Sequence, residues 1–250
     1  MRKFVVIAIR SRAETTNLAQ GRALISALAA EGMAPQQVSH SSDRFAESFD
    51  GEASIAAHWA EMATISARGR TYQSPRRFAW RRRTVVKSSG YVRHGIVNDA
   101  GTQVPAAIVI TAPWNKSVAW ERLFRSILTL FPAQLAMLHL FTAPESVKSA
   151  AWASFEAGSL GASLSPQLPN LAWATYFGDE FAIEGNREEL RDAGYRVDDF
   201  ANGYMVKVTD DLQDLETNFA GFSLRRAKLK AMYRKGLFRI EEEPALDGSM

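Results

Sequence analysis

Residues 117–142 read SVAWERLFRSILTLFPAQLAMLHLFT, and a change of period inside this stretch decides the fold class. Trp120, Leu123, Phe124, Ile127, Leu128 and Phe131 recur at i, i+3, i+4, i+7, i+8 and i+11, which lines one face of an amphipathic helix. Pro132 ends it, because proline lacks the backbone N–H that the next turn would need. The residues that follow, QLAMLHLFT, form a short, continuous apolar run of strand length. A helix that must bury one face, joined directly to a strand, is the local unit of a helix-on-sheet protein.

Upstream, RFAWRRRTVVK, a turn at Ser88-Ser89-Gly90, YVRHGIVND, a turn at Gly101 and QVPAAIVIT predict an antiparallel meander. Residues 3–10 predict a strand. Thr15-Thr16-Asn17 then cap a helix with Leu18, Gly21, Leu24, Ile25 and Leu28 on one face, stopped by Gly32 and Pro35. SIAAHWAEMATISA, residues 54–67, reads as a second helix with Ile55, Trp59, Met62 and Ile65 on a stripe, His58 serving as packing.

Downstream, residues 143–170 are rich in Ala, Ser, Gly and Pro and form a long connection with a short helix from Val147 to Phe155. Asn186 caps REELRDAG, closed by Gly194. YRVDDF and GYMVKVTD form a hairpin around Ala201-Asn202-Gly203. Residues 211–236 read as one long C-terminal helix, and 241–250 as a flexible acidic tail. The expected fold is therefore α+β: a mostly antiparallel sheet packed with several helices and a long C-terminal helix. It would be a single domain over 1–240, with 143–170 as the one place where it could divide into two lobes.

A chain of 250 residues with 46% hydrophobic content can bury a full core. It contains no cysteine, which excludes disulfides, thiolate metal sites and a cysteine nucleophile and suits a reducing compartment. The apolar run Phe4 to Ile9 is too short for a signal peptide or a membrane span, so the expectation is cytoplasmic, with no membrane partner.

Catalytic motifs give little. His40, His58, His94 and His139 stand far apart, and the reading expects no two ligands on one helix face, hence no metal and no cofactor. Phosphate-binding, dinucleotide-binding and nucleophile-elbow motifs are missing from the sequence. Adjacent carboxylates such as Asp179-Glu180 and Asp198-Asp199 diverge rather than flank a substrate. The chain is expected not to be an enzyme, although a site assembled only by the fold stays open.

Charge is unevenly placed. Residues 68–83 hold Arg68, Arg70, Arg76, Arg77, Arg81, Arg82 and Arg83 with no acid, interleaved with Tyr72, Phe78 and Trp80. Such a run suits a single-stranded nucleic-acid groove or a charged strand edge; the second is the better reading, and nucleic acid is not the expected partner. Asp179, Glu180, Glu184, Glu188, Glu189, Asp192, Asp198 and Asp199 oppose it, against Arg187, Arg191 and Arg196. They suit either a basic partner or an ordinary exposed helix with paired charges. Arg225, Arg226, Lys228, Lys230, Arg234 and Lys235 form a third cluster, read as dipole complement and solvated face.

In NLAWATYFGDEF (170–181), REELRDAG, YRVDDFANGYMVKVTD and AKLKAMYRKGLF (227–238), the chain resembles the immunity protein 52 family of bacterial immunity proteins, in pattern and order. The resemblance implies a cytoplasmic α+β protein that binds and neutralises a cognate toxin, often a restriction-endonuclease-like nuclease delivered by a secretion system. It would act by blocking the toxin's phosphate groove or by binding elsewhere. It brings no residue-by-residue site with it. Charge and aromatic content therefore nominate the toxin-binding residues: Asp179, Glu180, Glu184, Glu188, Glu189, Asp198, Asp199, Tyr176, Trp80 and Arg81.

Overall fold

A computed structural model describes residues 3–67, 69–98, 100–145, 149–160 and 167–244. The chain forms two compact units: Ile9–Pro132, and Met1–Ala8 together with Ala133–Met250. Strand β1 (Phe4–Ser11), buried from Val5 onward, gives residues to both.

The unit Ile9–Pro132 contains, in chain order, α1 (Leu18–Ala30), β2 (Gln37–Ser39), β3 (Glu47–Ser48), α2 (Gly51–His58), β4 (Met62–Ala67), β5 (Arg70–Pro75), β6 (Phe78–Arg82), β7 (Ser88–Arg93), β8 (Ile96–Val97), β9 (Gln103–Val104), β10 (Ala106–Pro113) and α3 (Trp120–Leu130). Strands β10, β7, β6, β2 and β3 are neighbours in that order, all antiparallel. β4–β5 and β8–β9 are separate hairpins.

Helix α3 buries the face that its period predicts: Trp120, Leu123, Phe124, Ile127 and Leu128, with Phe131 just beyond. Each such side chain taken out of water contributes about 1.5–3 kcal/mol before the entropy of ordering is set against it. Helix α1 packs on α3 and is capped as expected, the Asn17 side chain accepting from the Ala19 N–H. Its buried Gly21 has a steric reason, since a Cβ there would lie 2.7 Å from the Trp59 ring.

Two expectations fail in this unit. The helix expected over 54–67 stops at His58. Ala60 is in the left-handed region (φ 52°), and Met62–Ala67 then pairs with β5 as a strand. Met62 and Ile65 thus lie exposed on the hairpin instead of in a helix stripe. Ser88-Ser89-Gly90, expected as a turn, lies inside β7, where Gly90 leaves the space that the Trp80 ring fills.

The other unit contains β11 (Leu135–Phe141), α4 (Ala150–Glu156), β12 (Ala174–Phe177), α5 (Arg187–Asp192), β13 (Arg196–Phe200), β14 (Gly203–Lys207), α6 (Asp214–Thr217) and α7 (Phe219–Lys230). β13, β14, β12 and β11 are neighbours in that order, all antiparallel. The fold is α+β with mostly antiparallel strands, as the periods predict. The short helix expected from Val147 is α4, capped by Ser149; Val147 itself lies outside the described residues.

The hairpin forms where Asn202-Gly203 predicts it. Phe200 pairs with Gly203, and a Cβ on Gly203 would collide with the Phe177 carbonyl. The single long C-terminal helix does not form: Asn218 ends α6 and caps α7, its side chain accepting from the Gly221 N–H. The acidic tail is not loose over its first residues. The chain from Leu237 to Ile240 bonds back to Leu168 and Pro169, and Glu243 is held by Arg226, Lys230 and Ser223. Residues 245–250 lie outside the described residues.

Candidate functional site

The acidic edge begins where β12 ends. Gly178 packs against the Tyr176 ring, and Asp179 follows in a left-handed conformation (φ 46°). The Asp179 carboxylate accepts from the Asn202 side-chain amide, and the Tyr176 hydroxyl donates to Asn202 Oδ1 at 2.9 Å, so the hairpin turn is tied to this corner. Burial, helped by the Asp179 charge and opposed by Arg187, pushes the Tyr176 phenol up to about 12. Glu180 accepts from Gln134 Nε2 at 2.8 Å.

Ile183 follows with 87% of its surface exposed, the largest value among the described large hydrophobics. On either side the charges pair off. Glu184 receives Arg234 at 2.7 and 3.1 Å, and Asn186 caps α5 while its amide donates to Glu189 at 2.8 Å. Asp199 takes Arg187 at 2.9 Å and Arg191 at 2.6 Å, and those hydrogen bonds, Arg191's above all, hold its carboxyl below the usual range. Asp198 faces Arg196 at 3.6 Å. Glu188 and Asp192 are exposed with no ion-pair partner among the described residues. The edge is therefore a charged rim around one exposed isoleucine, its charge compensated in part, at Glu184, Asp198 and Asp199.

The aromatic nominees do not reach the surface. Trp80 and Tyr176 are fully buried, as is Trp173, so none is a surface anchor. Arg81, in the other unit, is half-buried; it donates to Gln37 at 2.6 Å and lies over the Phe45 ring. Two more arginines of the basic run are similarly occupied. Arg77 sits over Tyr91, and Arg82 donates to the carbonyls of Ala34 and Val85. Phe78 is buried, so these residues do not present alternating phosphate and base contacts. Arg68 lies outside the described residues.

The C-terminal basic cluster also departs from a solvated face. Arg226 is fully buried between Glu145 (2.5 Å) and Glu243 (2.7 Å). Glu145 in turn lies 2.6 Å from His139 Nε2, whose other ring nitrogen accepts the Trp173 backbone N–H at 2.9 Å. That N–H fixes the proton on Nε2 and plugs Nδ1, so His139 has no nitrogen left for a substrate proton. Burial holds His139 neutral despite Glu145. Burial would raise the Glu145 carboxyl, but His139 and Arg226 more than offset it and keep it ionised. An open groove of about 300 Å³ lies near the end of α7, lined by Lys230, Tyr233, Arg234, Lys235 and Phe238 among others. None of His94, His139 and Asp179 lines it.

His94 is buried against Trp59, and burial pushes its imidazole down to about 4, a hydrogen bond with Thr15 pulling the other way. The unfolded chain binds this proton below about pH 6.5, the folded chain only near 4. Stability is thus full above the higher value and falls as pH drops through this window, by on the order of 3 kcal/mol. Denaturant midpoints measured from pH 7 to 4 should fall less steeply in His94→Phe than in the parent.

The remaining histidines meet. His40, just after β2, and His58, at the end of α2, place Nε2 and Nδ1 3.2 Å apart, with Glu61 Oε2 2.6 Å from His40 Nε2. His58 Nε2 lies 3.0 Å from Glu47 Oε2, and His40 Nδ1 lies 3.0 Å from the Arg77 carbonyl. The sequence reading missed this cluster, although Glu61 stands three residues after His58. The spacing is not that of a helix face here, because the chain leaves the helix between them, and His40 arrives through the long-range pairing of β2 with β6.

No family model matches the chain, and no curated protein matches it. Among solved structures it is similar to the Pseudomonas aeruginosa T6SS protein PA0821, with a TM-score of 0.57 and 11% identity, over 92% of this chain and 76% of that one. At that identity the likeness is one of fold, and it extends over nearly the whole chain.

Proposed function

We propose that this is an immunity protein that binds and neutralises a cognate bacterial toxin in the cytoplasm, in the setting of type VI secretion, by surface contact and without catalysis. The observation that carries the reading is the exposed Ile183 inside the charged segment from Asp179 to Asp199. An apolar centre with a polar border is how protein interfaces are built, and Ile183 supplies such a centre on this edge. The likeness in fold to a T6SS protein supports the setting. A nucleic-acid module is the weaker reading, because Arg77, Arg81 and Arg82 are occupied within the chain.

The test is co-expression with the toxin encoded beside this chain, which should restore growth, and co-elution of the purified pair. Ile183→Asp should weaken the complex by about thirty-fold or more, the scale of a central anchor at ~2 kcal/mol, with the melting temperature unchanged. Glu188→Lys should chiefly alter the association rate and its salt dependence. Failure of both rescue and co-elution would remove the proposal. An intact complex with Ile183→Asp would move the interface away from this edge.

A further inference from the structure

We propose that His40, His58 and Glu61 form a binding site for a divalent transition-metal ion of the zinc class, a property independent of toxin binding. The three donor atoms lie within 4.8 Å of one another. Two imidazoles and a carboxylate are a borderline-soft donor set of the kind zinc takes, leaving a fourth position for water. Glu61 is the exposed member, so the ion has a route in from solvent.

The tautomers carry the argument. A backbone carbonyl only accepts, so the contact of His40 Nδ1 with the Arg77 carbonyl places the proton on Nδ1 and leaves a lone pair on Nε2. The contact of His58 Nε2 with the Glu47 carboxylate likewise places a proton on Nε2 and leaves a lone pair on Nδ1. Both lone pairs then converge with the Glu61 oxygen, three acceptors facing one point. Such an arrangement needs a cation at its centre: a metal ion, or in its absence a proton on His40 Nε2.

The outer contacts match a metal site too, because ligating histidines commonly donate their second N–H to a carboxylate or a carbonyl, as these two do. The 3.2 Å between the two nitrogens is close to the ~3.3 Å edge of a tetrahedron with metal–nitrogen bonds of about 2.05 Å, whereas the 2.6 Å from His40 Nε2 to Glu61 Oε2 is shorter, so the exposed Glu61 carboxylate would move outward to ligate. Arg76, 3.9 Å from Glu61, competes for its oxygen and is the one Lys or Arg paired with Glu61 among the described residues. The ligands come from the end of β2, the end of α2 and the approach to β4, so an ion here would cross-link three segments of one unit.

The test uses the full chain, stripped with a chelator and titrated calorimetrically with zinc chloride at pH 7.5. One equivalent should bind with a Kd below about 10 µM and raise the melting temperature. Cobalt(II) should give the visible absorption of a tetrahedral site. Affinity should fall at least ten-fold in Glu61→Gln, an exposed change that the fold tolerates, and about ten-fold in Glu47→Gln. It should be lost in His40→Ala, and it should weaken below pH 6 as protons compete. Binding weaker than about 100 µM, or tight binding unchanged by both Glu61→Gln and His40→Ala, would overturn the proposal.

Discussion

Arg226→Ala should destabilise the protein by about 3–5 kcal/mol, a fall of roughly 10 °C in melting temperature, although the residue touches no candidate surface. Its guanidinium is fully buried and lies between two carboxylates, Glu145 and Glu243. Removing it leaves Glu145 without its arginine where water cannot replace it, and leaves Glu243 with Lys230. A partly exposed arginine of the same chain, Arg187, should cost only about 1 kcal/mol when changed to alanine, because its pair with Asp199 is solvated. Differential scanning calorimetry of the two variants measures the contrast. The network also sets an acid limit. Glu145 is held below its usual range, so its contribution is present above that range and lost as pH falls through it. His139 is held neutral, so the unfolded chain takes up its proton first and acid again favours unfolding.

Trp59→Ala should cost a comparable 3–5 kcal/mol, and here the expected result includes a change of sign elsewhere. The Trp59 ring packs with Phe78, His94 and Phe131 and lies where a Cβ on Gly21 would have to go. In the parent, Gly21→Ala should therefore destabilise by about 1–3 kcal/mol through overpacking. In the Trp59→Ala background the obstruction is gone, and alanine inside α1 should instead stabilise by about 0.5–1 kcal/mol, its ordinary advantage over glycine in a helix. A double-mutant cycle in urea measures the coupling, and simple additivity would remove the assigned contact.

Helices α1 and α3 and strand β11 were legible because each is decided by its own periodicity and caps: Asn17, Pro132, and an apolar face that packing only confirms. Residues 54–67 misled because a helix stripe and a helix followed by a strand share the same apolar spacing. What separates them is the left-handed turn at Ala60, which no local signal requires. The candidate site was legible in place more than in kind. Sequence located the charged segment from Asp179 to Asp199, but a pairing such as Glu184 with Arg234 spans fifty residues and compensates part of the acidic face. Trp80 and Tyr176 could not be sorted into surface or core from composition, since either would suit an aromatic of that size. The histidine cluster lay beyond sequence because it depends on a strand pairing that brings His40 back to His58.

The anchoring of Glu243 bears on how the protein is made. The unit that holds this residue also contains Phe4–Ala8, so the strand that opens it is synthesised well before the carboxylate that completes it. At the usual ~5–20 residues per second, some tens of seconds separate the two. Throughout that interval Arg226 lacks one of its carboxylates and Lys230 lacks the carboxylate it pairs with. A nascent or prematurely terminated chain that stops short of Glu243 would carry this defect at the centre of an otherwise assembled unit. Quality-control proteases would have a chemical basis for telling such fragments from finished molecules.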